Sequence, residues 1–211
     1  EFAEPLRAIG LRAIEAGIRL VMHPDQFVVL SSDSPAVITT SIHLLEAKHA
    51  RILDLLGQPH SPWAAIEIHG GKGDRADRLV EVIRSLPEAV RTRLVLENDE
   101  RAYGAAAILD ICRRAGVPMV FDAHHHVVHE GLDSYEHPSV AAMLAAARTT
   151  WPDPDWQLVH ISNGRTRFAD PHHSDLIRAM PSAYRQAPWI EVEAKHKEEA
   201  IAQLRRDWLA A

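Results

Sequence analysis

Six short apolar runs punctuate the chain, and each closes on a side chain suited to binding metals: LVMH at His23, AIEIH at His69, RLVLE at Glu97, MVFD at Asp122, QLVH at His160 and IEVE at Glu193. Such runs read as strands buried on both faces of a parallel sheet. Their closing residues stand 46, 28, 25, 38 and 33 positions apart, near the length of a strand-helix-strand repeat of roughly 30 or more residues. Between the runs, helix-like spacing predicts helices over Glu1 to Gly17, Ser34 to Gly57, Asp74 to Leu86, Arg101 to Ala115, Ser139 to Thr149 and Lys197 to Leu209. A shorter and less regular helix is expected around Ser174 to Arg185.

This alternation predicts an α/β fold of strand-helix units in series, with residues 1–211 forming one domain. Its type is the (β/α)8 barrel, whose chemistry sits at the C-terminal ends of the strands. Six parallel strands preceded by a helix fall short of eight, so the expectation is a partial barrel lacking about two N-terminal units, cut from something longer.

Composition changes this picture little. With 46% hydrophobic and 25% charged residues, the 211-residue chain matches an ordinary globular protein large enough for one core. Charges interrupt every apolar stretch well before the roughly 18 residues of a membrane span, and no signal peptide is evident. Cys112 is the only cysteine, which rules out an internal disulfide and fits a reducing compartment. The expectation is a cytoplasmic, monomeric protein with no membrane partner.

Charge and histidine content matter more. A formal net charge of −6 argues against a broadly basic nucleic-acid binder, but carboxylates gathered around divalent cations would be neutralised locally. Nine of the fourteen histidines cluster in HPDQF, HGG, DAHHHVVH, HIS and PHH, where the apolar runs stop. Glu97 and Glu193 follow apolar strand residues, where a solitary buried carboxylate is costly unless paired or coordinated. Together with His23, His69, His160, Asp122 and His125, they form a mixed nitrogen and oxygen donor set suited to zinc, manganese or iron rather than calcium or magnesium. So many ligands exceed the need of one ion. Two or three metals would use them, and paired metals suit phosphate-ester displacement.

The stretches HPDQFVVLSS, IHGGKGD, VLENDE, FDAHHH, HIS with the downstream PHHSD, and EVEAKHKE together resemble the UV damage endonuclease family. That family consists of TIM-barrel relatives of endonuclease IV-type apurinic endonucleases. The resemblance runs from about His23 to Lys197. It implies a metal-dependent hydrolase that nicks double-stranded DNA 5′ to ultraviolet photoproducts, with manganese as the expected ion, two or three per site, and zinc as the alternative. His23, His69, Glu97, Asp122, His125, His160, His173 and Glu193 fall on the family's ligand positions, with Glu97 and Glu193 as the catalytic carboxylates that bridge ions or position the nucleophile. Gln26 and Phe27 correspond to the family's lesion probe, with Phe27 in place of the usual tyrosine. Lys72, Arg75, Arg101, Arg165 and Arg167 are candidate phosphate contacts near the strand ends. In the bacterial setting that the resemblance implies, the enzyme would be cytoplasmic and associated with the nucleoid when acting on DNA.

One departure concerns Leu158, which stands where the family places a lysine two residues before the strand-end histidine. Together with the missing front of the barrel, it keeps open a truncated, non-catalytic homologue with a residual metal site. A sugar isomerase or epimerase on the same barrel is a further alternative, though HPDQF and the HHH run have no obvious role there. Metal content separates the vestigial reading from both enzymes, and a nicking assay separates the endonuclease from the isomerase.

Overall fold

The structure, a computed structural model, describes residues 2–210. Its strands follow one another in chain order, β1 (Ile66–His69), β2 (Leu94–Glu97), β3 (Met119–Asp122), β4 (Leu158–Ile161) and β5 (Trp189–Val192), in a five-stranded parallel sheet. Five of the six apolar runs are thus strands. The first pairs with β1 through a single parallel bridge, Met22 with Ile66. Pro24 follows at once, and a residue without an N–H cannot extend a ladder of hydrogen bonds.

The contacts divide the chain into two compact units, the first comprising residues 1–96 and 110–118 and the second 97–109 and 119–211. In the first, α1 (Ala3–Glu15) begins the described helices; Glu1, where the expected helix starts, lies outside the described residues. Gly10 lets α1 approach α3 (Arg51–Leu55), because a Cβ there would stand 1.7 Å from the Leu56 carbonyl oxygen. The long helix expected over Ser34 to Gly57 is α2 (Pro35–Leu44), a π-helical stretch (Leu45–Ala50) and then α3. It starts with proline in its first turn, where the missing N–H costs nothing. Further on lie α4 (Ala76–Ser85) and α5 (Glu88–Arg91).

Arg93, immediately before β2, is fully buried. Its guanidinium donates to the carbonyls of Pro59 at 2.9 Å and Gln58 at 2.9 Å, and pairs with Asp54 at 2.8 Å. Burying a charge is tolerable only with such a complete set of partners. These bonds tie the chain after α3 to the start of β2.

The second unit is built on β3, β4 and β5, with Phe121 paired to Val159, Asp122 to His160 and His160 to Glu191. Helix α7 (Ala123–His129) follows β3 directly, capped by the Asp122 side chain, which accepts from the His125 N–H at 2.7 Å. Then come α8 (Pro138–Arg148) and α9 (Glu198–Leu204). The helix that spacing predicts over Arg101 to Ala115 begins later, as α6 (Ala105–Ala115), because Asp99 draws the amides of Arg101, Ala102 and Tyr103 into a turn. The region Ser174 to Arg185 holds only a 3-10 stretch at Ser182–Gln186. There the amides of Arg178 and Ala179 donate to the Asn163 side chain at 2.7 and 2.9 Å, which competes with helix formation. Among the described residues, no helix is long and apolar enough to cross a membrane.

Tyr184 links the inner strands. Its buried hydroxyl donates toward the carbonyls of Phe121 and His160, both at 2.9 Å, and accepts from the Ala123 N–H at 3.0 Å. Burial holds its phenol well above the ordinary tyrosine pKa, so it stays a donor. Removing it strands buried backbone groups at the ends of β3 and β4. The Tyr184→Phe variant should lose about 1–3 kcal/mol of stability, measured by urea denaturation; an unchanged midpoint and slope would show that this hydroxyl contributes nothing net.

Candidate metal centre

In the second unit, strand register brings donors together from residues far apart in sequence. Asp122 and His160 are direct partners across β3 and β4, and His160 and Glu191 across β4 and β5. Glu193 follows β5, its N–H bonded to the Ile161 carbonyl at 2.9 Å. Glu97 ends β2, and His125 sits in the first turn of α7.

One donor atom from each of Glu97, Asp122, His125 and Glu193 lies within 4.8 Å of all the others, and the same holds for His125, His173 and Glu193. His160 Nδ1 stands 3.2 Å from Glu97 Oε1 and 3.7 Å from Glu193 Oε1. His125 Nε2 is 3.7 Å from Glu97 Oε1. His173 reaches this group from a loop, its Nε2 3.8 Å from Glu193 Oε2. A parallel bridge is not what holds that loop: Gly164 and His173 form an isolated antiparallel bridge.

Electrostatics favour a cation here. Glu97 and Asp122 are wholly buried, and Asp122 Oδ2 accepts no hydrogen bond, while Oδ1 caps α7. Burial opposes protonation of His125, but Asp122, Glu100 and Glu97 around it prevail and push its pKa up to about 10. Burial, opposed by His160 and reinforced by Glu97, raises Glu193 to about 7. The negative charge that holds a proton on His125, and that adds to the effect of burial on Glu193, is what a divalent cation would neutralise. Mixed imidazole and carboxylate donors, a buried carboxylate oxygen without a hydrogen bond and no thiolate together fit a borderline divalent metal.

Two acidic residues that sequence reasoning did not single out serve these donors. Glu100 Oε2 lies 3.0 Å from His125 Nδ1, which holds the Glu100 carboxyl down at about 2. Glu191 Oε2 lies 3.4 Å from His160 Nε2. A carboxylate on the far nitrogen of a ligating histidine fixes its tautomer and ring orientation. Both were discoverable: Glu100 follows Glu97 by three residues, and Glu191 precedes Glu193 by two, on the same face of a strand. Leu158, two residues before His160, is buried opposite Trp189 in the sheet and offers no donor.

The neighbouring histidines hold structure together. His124 bonds the Tyr135 hydroxyl at 2.7 Å and the Asp170 carbonyl at 2.8 Å, and His126 bonds Ser139 Oγ at 2.8 Å.

In the first unit, His69 ends β1 and His23 follows the Met22 bridge, and their rings meet edge-on with centroids 5.9 Å apart. Gln26 and Phe27 occupy an exposed turn closed by Asp25, whose carboxylate accepts from the Phe27 N–H at 2.8 Å. Phe27 is 72% exposed, while Pro24 and Val28 on either side are buried. Lys72 and Arg75 are drawn to Asp33, together with Arg78; the Arg75 and Arg78 contacts are both 2.7 Å. In the second unit, Arg101 lies 3.2 Å from Glu100, and Arg165 and Arg167 line a separate cavity.

The family model described as UV-endonuclease UvdE matches residues 1–210. The chain is 60% identical over 209 residues to a UV DNA damage endonuclease of Nostoc sp., covering 99% of this chain and 65% of that protein. It therefore spans just under two thirds of that relative's length. Among solved structures, SacUVDE superposes with a TM-score of 0.79 at 30% identity, covering 97% of this chain and 71% of that one. A D-tagatose 3-epimerase-like protein superposes with a TM-score of 0.69 at 12% identity over 98% of this chain and 83% of that one. At that identity the likeness concerns the fold alone, a TIM-barrel-type α/β architecture.

Metal binding at this centre should release protons. Below about pH 7 both Glu193 and His125 hold a proton that the ion must displace, and between about 7 and 10 only His125 does. Affinity for manganese should therefore rise by about two decades per pH unit below 7 and by about one decade above it. Titration calorimetry in buffers of different ionisation enthalpy measures the proton count, and a pH-independent affinity would contradict this charge balance.

Proposed function

The chain belongs to the UV-endonuclease UvdE family, and on that premise we propose that it hydrolyses a phosphodiester bond of double-stranded DNA 5′ to ultraviolet photoproducts. The observation that carries this reading is the group of buried Glu97, Asp122 and His125 with half-buried Glu193, whose donors lie within 4.8 Å of one another at and just beyond the ends of parallel strands. The proposed ligands are Glu97, Asp122, His125, His160, His173 and Glu193 in the second unit and His23 and His69 in the first. Residues 1–211 act as one catalytic domain, as a monomer in the cytoplasm.

Divalent cations, with manganese the proposed ion at two or three per site and zinc the alternative, supply activation of water and stabilisation of the leaving oxygen when bound. The chain supplies placement. Glu97 and Glu193 hold their carboxylates toward one another's histidine partners, and Glu100 and Glu191 steady the rings of His125 and His160. Gln26 and Phe27 probe the duplex. A photoproduct stacks poorly, so everting it costs less than everting normal bases, and a side chain that fills the gap selects damaged sites through deformation energy. The exposure of Phe27 on a turn anchored at both ends supports that role. Lys72 and Arg75 offer phosphate contacts, moderated by Asp33.

The test is nicking of ultraviolet-irradiated supercoiled plasmid beside untreated plasmid, with manganese or with chelator. Nicking should require both damage and metal. The Glu97→Ala variant should lose more than about 100-fold in nicking rate, beyond what losing a residue that only orients a ligand costs, while keeping much of its DNA affinity; retained cleavage would remove Glu97 from the catalytic role. Phe27→Ala should reduce the preference for damaged over intact duplex by about tenfold, within the roughly 1–3 kcal/mol of one aromatic stack. Unchanged selectivity in a competition binding assay would take Phe27 out of the probe.

A further inference from the structure

After β4 the chain forms a tight loop that bears two arginines. Gly164 permits it, since a Cβ there would stand 2.0 Å from the Arg167 carbonyl oxygen. Asp170 locks it: its carboxylate accepts from Thr166 Oγ1 at 2.5 Å, the His172 N–H at 3.0 Å and His172 Nδ1 at 2.9 Å. These bonds hold the Asp170 carboxyl well below the usual carboxylate range. Asn163, buried, fixes the facing segment by accepting from the amides of Arg178 and Ala179 and donating to the Tyr135 hydroxyl at 3.1 Å.

Between these segments lies a cavity of about 220 Å³ lined by Arg165, Arg167 and Arg178, with the rings of Tyr135 and Phe168, 4.8 Å apart, as an apolar wall. No carboxylate among the described residues pairs with any of the three guanidinium groups. Some exposed cations elsewhere are matched, as Arg75 and Arg78 are by Asp33 and Arg114 is by Asp77 and Asp110, but these three line one cavity together. Three like charges gathered on a preorganised frame, in a chain of net charge −6, make a local site for an anion.

The frame also joins the candidate metal centre. The Arg165 N–H donates to the His172 carbonyl at 2.8 Å, and Gly164 bridges His173. An anion held here would adjoin whatever His173 and Glu193 hold. We propose that Arg165, Arg167 and Arg178 form a pocket for a backbone phosphate of duplex DNA, flanking the phosphate to be cleaved, with Tyr135 and Phe168 against the adjoining sugar. This rests on the endonuclease reading above and extends it to a second anchoring point. Guanidinium groups suit the role because they present planar pairs of donors to phosphate oxygens.

The experiment measures duplex affinity by fluorescence anisotropy across a salt series, on irradiated and intact DNA. Engaging one phosphate contributes about 0.9 to the slope of log affinity against log salt. The double variant Arg167→Ala/Arg178→Ala should lower the slope by about that amount on both substrates, whereas Arg167→Lys/Arg178→Lys retains most of it. A control, Arg91→Ala/Arg113→Ala, removes two exposed arginines elsewhere and should leave the slope unchanged. An unaltered slope in the first variant, an equal loss in the control, or no duplex binding by the parent chain overturns the proposal. So does inorganic phosphate binding that the alanine pair abolishes without changing the DNA slope, which would mark a free-anion site. Nicking distinguishes the two readings: cleavage with an unaltered slope removes the pocket alone, whereas a lowered slope without cleavage in the parent chain leaves a phosphate pocket for DNA but overturns the endonuclease reading and the pocket's place beside a cleaved phosphate.

Discussion

Glu97 and Asp122 are carboxylates with no solvent exposure at the ends of two strands, and an uncompensated charge in that position is among the costliest things a protein can bury. Much of the second unit can be understood as compensation. His125 and His160 approach the carboxylates from α7 and β4, Glu193 takes a raised pKa, and one oxygen of Asp122 is spent on a helix cap. The hydrophobic strands supply rigidity, but the polar ends determine what the rigidity is for.

The supporting polar groups are also buried, and each is satisfied through several partners. The Tyr184 hydroxyl serves three backbone groups at once, the Asn163 amide fixes two facing segments, and Arg93 gathers carbonyls ahead of β2. Networks of this kind tolerate little truncation, because removing one member leaves the others desolvated and unpaired. They also restrain the donor side chains, and small displacements of such groups cost catalytic rate steeply.

Much of this was legible in the chain. The repeating apolar runs identified five strands, and the residues closing them, from His69 to Glu193, stand where a parallel sheet ends. Helix positions followed from spacing, with shifts of a few residues where Asp99 or Pro35 set the start. Other features stayed hidden for physical reasons. A run of three histidines carries little helix propensity, so α7 was concealed even though Asp122 is a good cap. The Asn163 bonds that displace a helix near Arg178 are long-range, and local periodicity does not register them. The arginine cavity likewise combines residues 135, 163–168, 178 and 179, a grouping that only folding creates.

Asp122 shows how narrow the permitted chemistry at one position can become. One of its oxygens caps α7, the other is buried without a hydrogen bond, and its carboxylate belongs to the donor group. Asparagine would keep the cap, which needs only a short side chain and an acceptor, but would discard the charge. Glutamate would keep the charge but add a methylene that moves the acceptor away from the His125 amide. Neither neighbour in chemical space can replace aspartate, so drift at this position is blocked on two sides by unrelated requirements, one of folding and one of charge.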